Sequence, residues 1–521
     1  MAPKATACDA CGKSKSRCEL TEKEPDGPCL LCRYLALPCV FSATYDVPCD
    51  FCRSRKRKCF VDRDGDVSGA MQSSPNQNRN QDRRPCRECK HRGHTCTWPD
   101  GERTNKPSYL EFLGLPAIYN AKFFNDLVPS FETLVYPFSP VITAEEIRDA
   151  ISNMESDFED AALVCAFGSA TIFHTKGTGR SIEDIGMHME SLAKFSYAAL
   201  KSFDPLTGPS GRLLDQPRIT LKSTMAYLYL EISMTALGRF NRSFTFLREA
   251  IAMLQVVENG SFPLEGGESS KYQRLYWEAY VHERFLTLAG SFPSILPPLP
   301  SGLPTHDPTL PPIVEFNFNR IIRLFRILDR RFLAHWMHYS GKEALDDPIP
   351  ELTEQWIEKK KAEIAADELQ PDDGGALTHM QVADMLLNRL WLRSVLFQLS
   401  LKAQPQQSAH GLLFPAGQLA PQLHILMETL GEEDVLGSRG AAILKKLFDI
   451  TRAATEAITL AADAIHAVGF DTRAQISDVL SLIRLFFRFE TAENDRKRHL
   501  RDLLTRVQQQ YPNLADYTLS P

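Results

Sequence analysis

Cysteine spacing is the strongest chemical signal in this sequence. Twelve of the thirteen cysteines lie before residue 97 and form two sextets. In each sextet a Cys-x2-Cys-x6-Cys frame occurs twice, with 10 residues between the frames in the first sextet and 26 in the second. Thiolates are soft ligands that suit tetrahedral zinc, whereas disulfides fit poorly in a reducing cell interior. The sextets are Cys8, Cys11, Cys18, Cys29, Cys32 and Cys39, then Cys49, Cys52, Cys59, Cys86, Cys89 and Cys96.

Six thiolates give two zinc ions four sulfurs each only if two sulfurs are shared, which implies a binuclear cluster. The pattern resembles the fungal zinc binuclear cluster, or Zn(2)-C6, family of DNA-binding domains. The resemblance implies one cluster in 8–39 and another in 49–96, each with two Zn²⁺, so four per chain. Modules this small bury too little surface to fold alone, and zinc binding, worth ~10–16 kcal/mol, has to stabilise them. In the family the first and fourth cysteines bridge the metals, here Cys8 with Cys29 and Cys49 with Cys86.

The second sextet departs from the family in its long central insert, residues 60–85. The insert is polar and rich in Asn and Gly, which predicts a disordered loop. Lengthening a loop from 10 to 26 residues costs only about 0.8 kcal/mol, so the cluster is still expected to close. An alternative remains open, a single mononuclear site with two cysteines left free and two histidines as competing ligands. Its residues would be Cys49, Cys52, Cys86 and Cys89, with Cys59 and Cys96 free and His91 and His94 competing.

Basic residues between the second and third cysteines of each cluster point to DNA. In the family this segment is a short helix that enters the major groove, typically at a CGG triplet, and Lys and Arg are natural donors to guanine O6 and N7. Lys56 occupies the position of the main base-contacting lysine, and the neighbouring cations are expected to contact phosphates. The predicted DNA-binding residues are Lys13, Lys15, Arg17, Arg53, Arg55, Lys56, Arg57 and Lys58.

The two clusters differ in charge. Residues 51–100 carry twelve Lys and Arg against six Asp and Glu, whereas residues 1–50 carry six against seven. Two Zn²⁺ and six thiolates add −2 to each, giving about +4 for the second half and −3 for the first. We therefore predict that the second cluster is the main anchor on DNA and that the first assists. The alternative is a first cluster that contacts protein or is vestigial.

The segment after the clusters, residues 97–125, is predicted to be a linker. It contains Pro99, Pro107 and Pro116 and has no heptad pattern, so a coiled-coil dimer is not expected there, although a homodimer stays possible. Only nine residues separate Cys39 from Cys49. This proximity suggests that the tandem acts as a covalent pseudo-dimer.

From residue 126 to 521 the sequence predicts one large all-α domain behind the small zinc-stabilised modules. Thr143 and Glu146 form a capping box. The segment 235–255 suggests a helical hairpin joined near Gly238, and Cys165 is expected in an apolar core. Further helices are predicted at roughly 184–203, 218–237, 241–257, 270–290, 314–336, 377–401, 418–430, 439–468 and 474–490.

Residues 274–298 resemble the signature of the fungal transcription factor regulatory domain, the middle homology region, over perhaps 130–340. The form of the signature in residues 274–298 is most similar to that of regulators of carbohydrate use. Core packing is expected for Trp277, Tyr280 and Phe285, while Arg284 is expected to snorkel or to pair with an acid. The Pro-rich stretch 292–312 is predicted to be exposed on composition.

These patterns favour gene control over catalysis. Motifs of Ser hydrolases, zinc proteases, P-loop and Rossmann enzymes are absent, so an enzyme is not expected, and lone histidines such as His174, His188 and His282 favour surface or core positions. The longest uncharged apolar run has thirteen residues, which is too short to cross a membrane. The first residues of the sequence lack the apolar core of a secretory signal. We expect a nuclear, zinc-dependent activator of RNA polymerase II genes, for carbohydrate use or secondary metabolism, that binds double-stranded DNA and co-regulators. The alternative is a zinc-stabilised protein-interaction adaptor.

Overall fold

The computed structural model describes residues 114–175, 182–205, 217–260, 267–341, 351–368, 377–403, 440–461, 479–484, 486–487 and 494–510. The chain divides into two compact units, residues 1–107 and 108–521, and every described residue belongs to the second. The described part consists of helices, turns and loops, with no strand. Its helices are α1 Ala121–Leu134, α2 Ala144–Asn153, α3 Phe158–Ile172, α4 Ile182–Phe203, α5 Leu221–Ala236, α6 Phe240–Glu258, α7 Glu268–Gly290, α8 Pro312–Arg326, α9 Arg330–Tyr339, α10 Glu354–Glu368, α11 His379–Ala403, α12 Gly440–Ala461 and α13 Asn494–Gln510.

Side-chain caps define several helix starts. The predicted capping box of α2 is confirmed, because the Thr143 side chain accepts from Glu146 N while Glu146 accepts from Thr143 N. Thr220 and Ser223 form an equivalent box at α5, and Asp157 caps α3 by accepting from two backbone amides. Each cap satisfies amide groups that have no partner inside the helix.

The predicted helical hairpin is confirmed as α5 and α6. These two helices pack against each other and are joined through Gly238, whose φ of 72° is a left-handed conformation that glycine adopts without strain. Leu247, Ala250 and Leu254 form the buried face of α6. The hairpin places the C-terminal turn of α5 next to the N-terminal turn of α6.

Three helices form the centre of the body. From residue 160 to 172 every residue of α3 is buried, including Cys165, as expected from the sequence. α5 packs against α3 and against α7, and α7 in turn packs against α8 and α9. Trp277 and Tyr280 on α7 are fully buried, which confirms their predicted place in the core. A helix buried on all sides needs hydrogen-bond partners for its polar side chains, and both α5 and α7 carry several buried polar side chains.

The structure corrects the prediction of one helix over 314–336. Two helices, α8 and α9, occupy this range, because the Asp329 side chain accepts from Phe332 N at 2.8 Å and starts a new helix. α1 begins at Ala121, inside the segment predicted as a linker, and α10 and α13 are additional helices. The helix predicted at 418–430 lies outside the described residues.

None of the helices in the described ranges combines the length and hydrophobicity that crossing a bilayer requires.

Candidate functional site

A buried carboxylate, Glu231 on α5, lies at the centre of the helical body. Its side chain is fully buried. Thr235 Oγ1 donates to Glu231 Oε1 at 2.7 Å, and Ser243 Oγ from α6 donates to the same oxygen at 2.9 Å. His282 Nδ1 on α7 contacts the other oxygen, Oε2. Three helices are therefore joined through one carboxylate.

His282 bridges two carboxylates. Its Nε2 lies 3.3 Å from Oε1 of Glu278, one turn earlier on α7, while its Nδ1 contacts Glu231. Both ring nitrogens donate only in the imidazolium form. Burial opposes that charge, but the carboxylates of Glu231 and Glu278 raise the pKa of His282 to about 10. The ring is therefore a cation at neutral pH.

A cavity of about 220 Å³ opens beside this cluster. Aromatic and aliphatic side chains from several helices form most of its wall, among them Phe138, Phe173, Phe285 and Phe325. Polar side chains also line it, namely Ser139, His174, Thr235, Glu278, His282, Asp384, Asn388 and Lys446. A largely apolar cavity with a few converging polar groups is typical of small-molecule sites.

The wall on the α11 and α12 side carries its own polar contacts. Lys446 Nζ donates to Asn388 Oδ1 at 2.6 Å, and Asn388 Nδ2 donates to Asp384 Oδ2 at 3.1 Å. The Lys446 ammonium also lies 5.3 Å from the centre of the Phe285 ring and 5.5 Å from that of Trp391. These contacts hold Lys446 in place at the edge of the cavity.

A second polar assembly connects α7 to the Pro-rich segment 291–311, which we call the strap. Trp277 Nε1 donates to Gly302 O at 2.9 Å, and the Tyr276 hydroxyl donates to Pro297 O at 2.9 Å. Arg274 Nη1 donates to Asp307 Oδ2 at 2.6 Å. Burial opposes ionisation of Asp307, but hydrogen bonds from Thr309 and Arg274 lower its pKa to about 2.

Glu283 is the central residue of this assembly. Its carboxylate is almost fully buried and accepts from the backbone amides of Ile295 and Leu296, at 2.8 and 3.0 Å, and from Ser294 Oγ at 2.7 Å. It also accepts from Arg248 Nη1 at 3.0 Å and from Arg284 Nη1 at 2.7 Å. One carboxylate therefore fixes three consecutive residues of the strap.

Arg284 pairs with an acid, Glu283, which confirms one of the two expectations from the sequence. Its guanidinium lies 3.5 Å from the centre of the Tyr280 ring, and its Nη2 donates to Leu296 O at 2.5 Å. The prediction that 292–312 is exposed holds only in part, because Leu296, Leu299 and Leu310 are buried. Composition showed the prolines, but the leucines between them anchor the strap to the core.

The sequence-predicted site residues lie outside the described part of the chain, which begins at residue 114. This applies to both clusters, 8–39 and 49–96, and to the insert 60–85. The predicted zinc ligands concerned are Cys8, Cys11, Cys18, Cys29, Cys32, Cys39, Cys49, Cys52, Cys59, Cys86, Cys89 and Cys96. The predicted DNA-binding residues concerned are Lys13, Lys15, Arg17, Arg53, Arg55, Lys56, Arg57 and Lys58.

The thiol donors of the first sextet suit zinc by their chemistry and by their number. Six soft thiolates are enough for two tetrahedral ions that share two sulfurs. Within the described ranges, by contrast, no group of three or more His, Cys, Asp or Glu side chains is placed to hold a metal ion. Cys165 is buried there, and burial raises the pKa of its thiol to about 12.

Comparison with known families identifies the amino-terminal segment. Residues 6–45 match the family model of the fungal Zn(2)-Cys(6) binuclear cluster domain. This segment is a zinc-binding module. Domains of this family bind two zinc ions and DNA and belong to regulators of transcription, for which a nuclear location is typical. The matched segment contains the complete first sextet. No curated protein matches the chain.

The cluster of Glu231, Glu278 and His282 in the helical body was not predicted from the sequence. Glu231 is the only charged residue between Ser223 and Ala236 in α5. An isolated charge on an apolar helix indicates a buried charge that needs polar partners, so the sequence did contain a signal for this cluster. Glu278 and His282 stand four residues apart, so they share a helix face. The expectation of an ordinary surface or core histidine missed the role of His282, since its ring lies between two carboxylates.

Proposed function

We propose that the protein is a zinc-dependent, sequence-specific DNA-binding regulator of RNA polymerase II transcription. The observation that carries the proposal is the match of residues 6–45 to the fungal Zn(2)-Cys(6) domain. The second sextet, Cys49 to Cys96, repeats the two Cys-x2-Cys-x6-Cys frames and is proposed to form a second binuclear cluster around the insert 60–85. The zinc content is then two ions per cluster and four per chain.

The proposed DNA contacts follow the distribution of positive charge. Residues 53–58 hold five Lys and Arg, whereas residues 12–17 hold three. Lys56 is proposed to contact guanine O6 and N7 of a CGG-type triplet, with its basic neighbours on phosphates. The second cluster therefore supplies most of the affinity, and the first, through Lys15, supplies a smaller contribution.

The two clusters are proposed to act as one covalent pair on DNA. Nine residues separate Cys39 from Cys49, so two modules that each contact a triplet reach neighbouring sites as one chain. Sedimentation of the full chain on a duplex with two triplets tests this point. One chain per duplex is expected, and two chains per duplex contradict the pseudo-dimer.

The helical body is proposed to be a regulatory domain of the middle homology type. Its support is the α7 segment, whose polar residues Arg274, Trp277 and Arg284 each contact the strap or a residue that holds it. The side chains that carry the family resemblance thus have a shared structural role. Carbohydrate-use or secondary-metabolite genes are the proposed targets, with activation as the proposed sign of regulation.

Binding of the zinc-loaded full chain to DNA tests the function. A duplex with CGG triplets is compared with a scrambled duplex of equal length over a series of salt concentrations. We expect tighter binding to the CGG duplex, with an affinity that falls steeply as salt rises, because Lys and Arg displace counterions from phosphates. Equal affinity for both duplexes overturns sequence-specific regulation, and no binding to either favours a protein-interaction adaptor.

A further inference from the structure

The strap carries a short run of exposed proline side chains. Residues 295–300 read ILPPLP, and we call them the proline run. Pro297, Pro298 and Pro300 are exposed, and Ile295 beside them is 52% exposed. These neighbouring side chains form a small apolar surface that faces solvent, and none of the six residues is charged.

The burial of the proline run repeats every three residues. Leu296 and Leu299 are 2% and 7% exposed, whereas the residues directly before and after each leucine are exposed. A polyproline II helix has three residues per turn, so both leucines lie on one face of such a helix. On a β-strand, whose side chains alternate, residues three apart would point to opposite faces. The pattern therefore indicates polyproline II, and residues 295–300 contain neither an α-helix nor a strand.

The sequence of the proline run favours the same conformation. A proline ring holds its own φ near about −65° and disfavours the helical conformation in the residue before it. Three residues of the run are prolines, and Leu296, Pro297 and Leu299 each precede one. The backbone of the run is therefore restricted to the extended, left-handed polyproline II form.

Side chains of α7 hold this backbone in place. The Glu283 carboxylate accepts from Ile295 N at 2.8 Å and from Leu296 N at 3.0 Å, and the Tyr276 hydroxyl donates to Pro297 O at 2.9 Å. The run is thus fixed on the body before any partner binds. A segment that is already ordered loses less conformational entropy on binding than a free peptide does.

We propose that the proline run is a docking site for a partner protein that binds polyproline II in an aromatic-lined groove, as WW and SH3 domains do. Such grooves pack flat aromatic rings against proline rings. Pro297 and Pro300 are three residues apart and share one exposed face, while Pro298 lies on the next. The buried leucine face stays against the core, so the partner contacts the prolines without displacing the strap.

The proposal goes beyond DNA binding and does not rest on it. It depends only on residues of the second compact unit, and its test contains no DNA. A failure of the docking proposal therefore leaves the proposed function standing, and the reverse also holds.

Titration of two labelled modules with the full chain tests the proposal. The probes are a WW domain and an SH3 domain, each selected for binding to proline-rich peptides, and binding is followed by fluorescence anisotropy. We expect saturable binding of at least one module, and displacement of the chain by an excess of a synthetic peptide of residues 293–304. Absence of binding to both modules overturns the proposal.

The same peptide shows whether the proline run is accessible on the folded chain. Because α7 holds the run in its extended form, the full chain is expected to bind the module at least as tightly as the free peptide does. Binding of the peptide without binding of the chain means that the strap is closed to partners, and this result overturns the proposal.

Variants locate the contact. The double variant Pro297→Ala and Pro298→Ala removes two exposed rings and keeps both leucine anchors, so the affinity for the module is expected to fall by about tenfold or more. Pro308→Ala is the matched control, because Pro308 is an exposed proline of the same strap outside the run, and its affinity is expected to equal that of the natural chain. Unchanged binding in the double variant, or an equal loss in the control, overturns the assignment.

A second variant covers the case in which the double variant loses its helical circular dichroism. Pro300→Ala removes one ring from the face that Pro297 shares, and the affinity is expected to fall by about threefold or more. Unchanged binding in Pro300→Ala contradicts the proposal. Self-association of the natural chain that the double variant loses, without binding to either module, identifies a second copy of the chain as the occupant and also overturns it.

Discussion

Replacement of Glu283 by Gln tests whether the Glu283 carboxylate on α7 holds the strap in place. The carboxylate is 1% exposed and accepts five hydrogen bonds, two of them from Arg248 and Arg284. The amide of Gln turns one acceptor into a donor that faces donors, and it leaves both guanidinium groups without a charged partner. Breaking a buried ion pair by removing one partner costs about 3–5 kcal/mol. We expect a loss of stability of that size.

Urea unfolding followed by helical circular dichroism measures this loss. The expected result is a lower midpoint with an unchanged slope, since the surface exposed on unfolding stays the same. Glu155→Gln provides the control, because Glu155 is exposed and substitution of an exposed residue should change stability by no more than about 0.5 kcal/mol. The strap should also become more susceptible to chymotrypsin at Phe292 and Leu296 in the Gln variant. A loss of stability below about 1 kcal/mol, with strap cleavage unchanged, refutes this role of Glu283.

Three further predictions concern the packing of the helices, the charge of His282 and the contacts with DNA. Gly168→Ala should destabilise the body by about 1–3 kcal/mol, because the added Cβ would lie 2.7 Å from the buried ring of Phe124, whereas Gly186→Ala, with no atom within 4 Å, should stabilise it by about 0.5–1 kcal/mol in the same urea assay. His282 has a folded pKa of about 10 against 6.5 for the free side chain, so its stabilisation is complete below pH 6.5 and is lost as pH rises through 10. Between pH 6.5 and pH 10 the free energy of unfolding of the natural chain should therefore fall by on the order of 4 kcal/mol more than that of the His282→Gln variant. Equal losses of stability contradict a charged His282 between the two carboxylates. Lys56→Ala should weaken binding to a CGG duplex by about 1–3 kcal/mol in fluorescence anisotropy, and a larger effect of Lys15→Ala would reverse the proposed ranking of the clusters.

Local patterns predicted much of the helical body. The capping box at Thr143 and Glu146 gave the start of α2, and Gly238 gave the turn between α5 and α6, because both signals lie within a few residues of the feature that they determine. The break between α8 and α9 was missed, since the apolar pattern continues across Asp329 and only the cap shows that the helix restarts there. α10 was missed because its charged sequence, EQWIEKKKAEIAADE, has little apolar periodicity.

Long-range contacts explain what the sequence did not predict about the candidate sites. Two of the three partners of Glu231 are 12 and 51 residues away, on two other helices, so its role depends on how α5, α6 and α7 pack. The strap was predicted to be exposed because of its prolines. Its anchoring to the core depends on α7 side chains up to 33 residues away in the sequence. The predicted zinc ligands are the opposite case, because the cysteine spacing itself carries the signal, and the first sextet lies within the matched residues 6–45.

The zinc content of the purified full chain shows whether it holds two binuclear clusters. Zinc is measured by inductively coupled plasma mass spectrometry and divided by the protein concentration from amino-acid analysis. Two binuclear clusters should give four zinc ions per chain, and two after the double substitution Cys49→Ser and Cys86→Ser, which removes both proposed bridging thiolates of the second cluster. Two ions in the natural chain, or three from a mononuclear second site, would contradict it.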